Sequence, residues 1–531
     1  MLMTMKRTKF TTCCFTLLLC LLLALCPLLV ACGESSGDEG NASGEGTSVP
    51  SSDTTSDETG PGPEGDLYQD AEGRYTLDGL HMPAFSFEQK EFRVCVYDNV
   101  GQSTYYSEEI GYNLYETTDD VLNDAVKTRN DLIAEKYGVT VVACPVNNVL
   151  ESVRQDASAN SELYDAAMPF MPDCATLAQD EALYDLKEFG NYIHLEAPWW
   201  DQSANQSLSV GGKLYFTTGD ISIMQKITSM ALTFNKRLYE EYCQDQWGSL
   251  YDLVREHKWT LDTMYAMGRA VAAELDGEAG MSYKDQWGLV TANIDAVHYY
   301  LASGESLIRK DASDLPVLSI GEQESSTNTA MKVLETLRSN ESWALIVEDL
   351  AGQVQGSTAT AGLGVFGENR SLFRTTAFSA VKKLRDFANA DAFGIVPLPM
   401  ASEGQETYYT PSSARFAYGI CIPKSVPNAD FSAYMVEALC CYAKNTVTPA
   451  YYEVTLKYRD SNDADSMEML DQYVFSNVVY DLGVIYNFGS VSSMFQRLMQ
   501  DHSTAVSSSL DSIRDSVQMA IDDCIEAYGL Q

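Results

Sequence analysis

Phe92-Arg93-Val94-Cys95-Val96-Tyr97, Val139-Thr140-Val141-Val142-Ala143 and Tyr164-Asp165-Ala166-Ala167-Met168 are three short apolar runs, rich in β-branched, aromatic or small residues. Each has the length and composition of a buried strand. Between the first two lies Asp119 to Tyr137, with apolar residues at Leu122, Ala125, Val126, Ile133 and Tyr137. That spacing predicts a helix, stopped by Gly138. A shorter helix is expected over Val149 to Ala157, so strand and helix alternate as in a parallel α/β layer. In such sheets ligands lie beyond the carboxyl ends of the strands. The loops Asp98 to Tyr106 and Pro169 to Cys174 are therefore the places to look, with Asp98, Asn99, Phe170 and Met171 as candidate contacts. A turn-forming role is the structural alternative for each.

Downstream the chain becomes helical and aromatic. Thr260 is a suitable N-cap for a helix over Leu261 to Leu275, and Trp287 to Thr291 reads as a further strand. Leu363 to Phe366 and Phe393 to Val396 are expected as strands around a helix from Asn369 to Phe387, and helices are expected to dominate from Ala429 onward. A second lobe follows. Gly362-Leu363-Gly364-Val365-Phe366-Gly367 matches the GxGxxG pattern of dinucleotide sites, but the polar, small stretch Gln353 to Ala361 supplies no clear strand ahead of the first glycine.

Upstream, Lys6, Arg7 and Lys9 precede an apolar run from Cys13 to Val30, the layout of an export signal rather than of a lasting membrane span. The run closes on Leu29-Val30-Ala31-Cys32, which resembles the bacterial lipobox and implies a lipid on Cys32, with 1–31 as signal peptide. Stable anchoring needs more than one acyl chain, which such a modified cysteine carries. From Gly33 to Asp66 almost every residue is Gly, Ser, Thr, Glu, Asp or Pro, too little apolar surface to offset the entropy of ordering. Residues 32–66 are thus expected to be a disordered acidic leash. The formal charge of −40 becomes −43 once Lys6, Arg7 and Lys9 leave with the signal, which makes nucleic acid and anionic lipid headgroups poor partners. Of thirteen cysteines, eight lie beyond the signal, in apolar contexts where a thiol serves as a small hydrophobe. Their spacing identifies no disulfide pairs and no zinc motif.

Several segments resemble one family in order. Gly211-Gly212-Lys213-Leu214-Tyr215-Phe216 followed by Ala231-Leu232-Thr233-Phe234-Asn235-Lys236 is similar to the first crossover of extracellular solute-binding proteins of carbohydrate ABC importers. Lys258-Trp259-Thr260 resembles a helix start of that family, Phe393-Gly394-Ile395-Val396-Pro397-Leu398-Pro399 one of its strands, and Tyr418-Gly419-Ile420-Cys421-Ile422-Pro423-Lys424 its return strand. The stretch Glu274 to Asn340 departs from the simpler family pattern. The resemblance implies an α/β, two-lobed periplasmic-binding-protein type II-like fold with a central ligand cleft and hinge crossovers. Lobe I would be 67–231 and 422–460, lobe II 232–421 and 461–531. It further implies a monomeric, cofactor-free receptor, displayed on the outer face of the cell membrane, that delivers a sugar or oligosaccharide to permease subunits.

A pyranose offers apolar C–H faces to aromatic rings and a rim of hydroxyls to carboxylates and amides. Trp199-Trp200-Asp201 is the best local match to that need, with packing after Pro198 as the alternative. By the resemblance, Asp220 faces the cleft, although a turn-capping role suits it equally. Asn369 and Arg370 would sit at a helix start facing it, and Trp287, Phe373 and Arg415 complete the candidate set. Two other classes remain open. A secreted carbohydrate-active enzyme needs two carboxylates roughly 5–9.5 Å apart, a spacing that sequence does not reveal. An iron receptor could use Tyr105-Tyr106, Tyr299-Tyr300 or Tyr408-Tyr409, but adjacent strand residues face opposite ways. The five histidines (His81, His194, His257, His298, His502) are isolated, with no HExxH, and there is no GxSxG elbow.

Overall fold

Two sheets built from distant parts of the chain organise the molecule. The computed structural model describes residues 67–98, 109–112, 120–339, 342–377, 384, 387, 392–413, 416–457 and 464–530. All of them lie in one compact unit, Pro63–Gln531. The first sheet has the order β2-β1-β3, with β1 Glu91–Tyr97, β2 Thr140–Val146 and β3 Ala166–Ala167. Both pairings are parallel, and Cys95 stands opposite Cys144 on one side and Ala167 on the other. The alternation of β1 explains its place at the centre. Phe92, Val94 and Val96 enter one apolar cluster, and Cys95 enters another on the opposite face. The helices Asp120–Tyr137 and Val149–Ala159 make the parallel crossovers, which need such a return path.

β3 continues beyond its two residues through antiparallel bridges to the returning chain, Ala167 to Cys421 and Phe170 to Tyr418, and Ile420 then bridges to Thr217. The chain thus comes back to the first sheet some 250 residues after leaving it, as the sequence led one to expect for Gly419 to Pro423.

The second sheet has the order β10-β4-β9-β5-β8, with β4 Met230–Asn235, β5 Trp287–Thr291, β8 Ala344–Ile346, β9 Ser371–Ala377 and β10 Phe393–Val396. β4 runs antiparallel to both neighbours, whereas β5 is parallel to β8 and β9. All six residues of β4 are buried, the polar Thr233 and Asn235 included, so the crossover strand runs through the interior. Gly288 in β5 has a structural reason to be glycine. A Cβ there would lie 2.4 Å from the Gly268 carbonyl oxygen, so its absence lets the helix Leu261–Val271 lie directly on the strand.

Three expectations are corrected here. Leu363 to Phe366 is not a strand; it lies inside the helix Thr358–Gly367, whose first turn is capped by Ser357 accepting from the Thr360 N–H at 3.4 Å. A Cβ on Gly362 would lie 2.4 Å from Val347 and 3.2 Å from Val290, so Gly362 permits packing on β5. Conversely, Ser371–Ala377 is a strand where a helix had been expected. Asn369, at φ 62°, makes the left-handed turn that separates the two, a conformation asparagine tolerates. The helix Leu261–Val271 is also shorter than its apolar pattern, because Ala272 is extended and the Asp285 carboxylate holds the N–H groups of Leu275 and Asp276.

The departure at Glu274 to Asn340 takes shape as a hairpin, β6 Ile308–Lys310 and β7 Pro316–Leu318. It grips the loop ahead of the first crossover. Gly211 donates to the Asp314 carbonyl at 2.8 Å and Gly212 to its carboxylate at 2.9 Å. Lys310 Nζ bonds Ser209 O at 2.9 Å, Ser209 Oγ at 2.8 Å, Asp314 Oδ1 at 2.7 Å, and the Gln206 carbonyl. The eight cysteines among the described residues, Cys95 to Cys524, are free thiols, and seven are buried. No helix among the described residues is long and apolar enough to cross a membrane.

Candidate ligand-binding site

Two strand ends converge on a cavity of about 580 Å³. β1 ends behind it, where Tyr97 stacks on Phe170. β3 runs through Met168 and Pro169 to Phe170, the residue capping the helix Met171–Gln179, which presents Pro172, Asp173 and Thr176 to the cavity. β5 leads through Ala292 and Asn293 to Ile294 and the helix Asp295–Ala302, which contributes Val297 and His298. The returning chain adds Ser413 and Phe416, and the C-terminal helices close the remaining side with Val484 to Asn487, Ser492, Ser493 and Gln496.

Aromatic rings are held in place before any ligand arrives. The Phe170 ring stacks on Tyr97 at 4.4 Å and 25° and on Tyr418 at 5.0 Å and 27°, with Phe416 edge-on at 6.4 Å. Tyr486 stacks on Phe488 at 5.0 Å and 9°, and its hydroxyl bonds that of Tyr528. Such packing fixes ring planes at little further entropic cost, the condition for a platform that receives a flat apolar face.

Polar groups are equally constrained. Tyr97 donates its hydroxyl to Asp173 Oδ2 at 2.6 Å. Burial, then the adjacent Asp173 charge, push the Tyr97 phenol far upward, so it stays a donor. Asp295 accepts from Thr291 Oγ1 and the Ala292 N–H, both at 2.8 Å, through one oxygen, and its other oxygen faces His298 Nδ1 at 3.3 Å. Both members of this pair are buried. Glu348 supports the same turn by accepting from the Asn293 N–H at 3.0 Å, and burial raises its carboxyl above the usual range. Asn487, at φ 47°, accepts from Ser492 Oγ at 2.7 Å and donates to Ser493 Oγ at 3.2 Å. The chemistry on offer is hydrogen bonding beside ring faces.

Of the residues singled out from sequence, Phe170 lines this cavity. Asp98 follows β1 with its N–H on the Val146 carbonyl at 2.8 Å, and Met171 is fully buried in the core. Asn99, Arg415 and Cys32 lie outside the described residues. The remaining candidates are placed elsewhere. Trp199 is fully buried and meets Tyr68 edge-on at 5.6 Å, while Trp200 donates its indole N–H to the buried Glu437 carboxylate at 2.8 Å. Asp201 caps its own helix, bonding the Ala204 N–H and the Tyr480 hydroxyl at 2.9 Å each, and burial raises its carboxyl. Asp220 is buried among Lys444 at 3.0 Å, Lys226 at 3.8 Å and Thr448 at 2.7 Å. Trp287 donates to the Ser282 carbonyl at 2.9 Å. Asn369 accepts from Asn235 at 3.1 Å, Arg370 pairs with Glu368 at 2.6 Å and with the Tyr283 carbonyl, and Phe373 packs on Trp259 in the core at 5.4 Å. Tyr299, from one of the tyrosine pairs, is buried and bonds Thr375 Oγ1 at 2.7 Å.

The residues missed from sequence are Tyr97, Asp173, the Asp295 and His298 pair, and the C-terminal group around Asn487. A signal existed for two of these. Asp173 lies inside the loop that the carboxyl-end rule marked, and Asp295 follows the recognised strand Trp287 to Thr291, to which the same rule applies.

No protein-family model matches the chain, and no curated protein matches it in sequence. Among solved structures it is similar to a cyclo/maltodextrin-binding protein complexed with maltotetraose, at 15% identity over 84% of this chain and 98% of that one, with a TM-score of 0.50. It is also similar to a sugar transporter from Rhizobium etli in an open conformation, at 12% identity over 81% of this chain and 99% of that one, with a TM-score of 0.52. The chain therefore has the two-lobed α/β fold of periplasmic-binding-protein type II proteins.

Proposed function

We propose that this two-lobed chain is the solute receptor of a carbohydrate importer, capturing a sugar or oligosaccharide in the cavity at Phe170 and passing it to membrane permease subunits. The observation that carries the proposal is the pairing of a pre-stacked ring, Phe170, with hydrogen-bonding groups from both sheets, Asp173 on one wall and His298 on the other. A saccharide bridging the two walls would favour their approach, a population shift toward the closed form. Its size also suits the cavity, which falls within the range of roughly 300–1,000 Å³ typical of small-ligand sites.

The receptor reading is non-enzymatic and needs no cofactor. It places the protein as a monomer on the outer face of the cell membrane, tethered by lipid on Cys32 and the acidic leash. The similarity in fold to the protein complexed with maltotetraose supports the same cargo class. The test is equilibrium titration of the purified protein with a panel of neutral oligosaccharides, followed by chromatography of the recovered sugar. Saturable binding with the sugar recovered intact supports the reading. Hydrolysed sugar would move the protein to the enzymes, and a response confined to peptides or metal ions would remove saccharides as cargo. Labelling with an alkyne fatty acid, lost in Cys32→Ala, tests the anchor separately.

A further inference from the structure

We infer that the cavity discriminates by charge, accepting neutral or amine-bearing saccharides and rejecting those that carry carboxylate, sulfate or phosphate groups. The inference rests on the saccharide reading above and concerns the kind of saccharide.

Its basis is one carboxylate on the cavity surface and a second close behind the facing wall, with no Lys or Arg among the described lining residues. On the first-sheet side, Asp173 lines the cavity, with Oδ2 receiving the Tyr97 hydroxyl at 2.6 Å. A carboxylate is acceptor-only, so the group it offers a ligand must be met by O–H or N–H. Behind the facing wall, which His298 lines, Asp295 Oδ1 lies 3.3 Å from His298 Nδ1, while its Oδ2 is already occupied by Thr291 and the Ala292 N–H. Asp295 accepts from the imidazole Nδ1–H and so fixes the orientation of the ring. Hydroxyl and amine donors fit the Asp173 wall.

Helix dipoles do not reverse this preference. The helices Met171–Gln179 and Asp295–Ala302 both start at the cavity, where their positive ends would attract anions. Each already carries a carboxylate in its first turn, Asp173 and Asp295 respectively, so that end is compensated. An ammonium group would instead gain from Asp173. An acid group held about 4 Å from the Asp173 carboxylate is disfavoured by about tenfold or more, even with substantial solvent screening.

The experiment uses three trisaccharides of matched length: maltotriose, the glucosamine trimer and trigalacturonate, titrated calorimetrically into the purified protein at low ionic strength. The expected result is that maltotriose or the glucosamine trimer binds at least tenfold more tightly than trigalacturonate. Asp173→Asn, which keeps the Tyr97 hydrogen bond but not the charge, should narrow that gap at least fivefold. Asp173→Glu, which restores the charge, should widen it again. Equal or tighter binding of trigalacturonate overturns the charge rule while leaving the saccharide reading standing, as does a gap unaffected by Asp173→Asn in a protein of unchanged melting temperature. An Arg415→Ala variant checks the cation nearest Phe416 in sequence; if its loss, rather than that of Asp173, controls the gap, the inference also fails. Binding of no saccharide of any charge overturns both proposals.

Discussion

Replacing Phe170 separates a ring that merely packs from one that receives ligand. In Phe170→Ala the side chain loses two stacked partners, Tyr97 at 4.4 Å and Tyr418 at 5.0 Å, and the edge contact to Phe416 at 6.4 Å. Aromatic pairs contribute about 0.5–1.5 kcal/mol each beyond area burial, so the two stacks together are worth about 1–3 kcal/mol. The ring is half-buried, so the loss stays below the roughly 3–5 kcal/mol of a fully buried Phe→Ala change. A second effect follows from the first. Tyr97 is held by that stack while its hydroxyl holds Asp173 at 2.6 Å, so freeing the ring also loosens the carboxylate. Saccharide affinity should fall by about 1.4–3 kcal/mol, or about ten- to 150-fold, together with a lower melting temperature. Phe170→Leu keeps most of the volume without a π face, and Phe170→Tyr keeps the face. The expected order in titration calorimetry is wild type and Phe170→Tyr together, then Phe170→Leu, then Phe170→Ala. If Phe170→Leu bound oligosaccharide within threefold of wild type, the ring would be a packing element only and the platform argument would be refuted.

Other expectations follow from particular contacts. Gly288→Ala should lower the melting temperature sharply or prevent accumulation of folded protein, because its Cβ would fall 2.4 Å from the Gly268 carbonyl and overpacking costs about 1–3 kcal/mol or more. Lys310→Ala should destabilise by about 1–3 kcal/mol, since it leaves the Ser209 acceptors at 2.8–2.9 Å without their charged donor; chemical denaturation followed by circular dichroism reads the loss. Burial pushes the Asp481 carboxyl well above the ordinary carboxylate range, up to about 7. With the folded pKa raised, the stability it contributes is full below about pH 4 and disappears as pH rises through 7. Wild type should therefore lose more melting temperature between pH 5 and 8 than Asp481→Asn, and equal slopes would contradict this.

The first sheet was legible because its signals are local. The run Phe92 to Tyr97, the apolar spacing ending at Gly138 and the runs before Val146 and Ala167 each state their own conformation, and the parallel order follows from their alternation with helices. Residues 358–377 were misread because the deciding contacts are remote. A glycine-rich helix there is supported by Val347 and Val290, and the strand after it is fixed by β4 and β5, none of which the local sequence announces. The candidate site divides in the same way. The carboxyl-end rule reached Phe170 because it needs only a strand and a loop. The dipeptide Trp199-Trp200 suggested a sugar platform by composition, but Trp200 is anchored by Glu437, 237 residues away, and Trp199 is fully buried. His298, held by Asp295 three residues earlier on the same helix, becomes part of a cavity wall only once that helix is docked at the end of β5.

The central claim is that a saccharide occupies the space between Phe170 and His298. A crystal structure of the protein grown with the tightest-binding oligosaccharide of the panel tests it most directly. The account predicts a sugar ring lying against Phe170, with hydroxyls on Asp173 and on groups of the facing wall near His298. A well-ordered oligosaccharide bound elsewhere on the molecule, with this cavity holding only water, would contradict it.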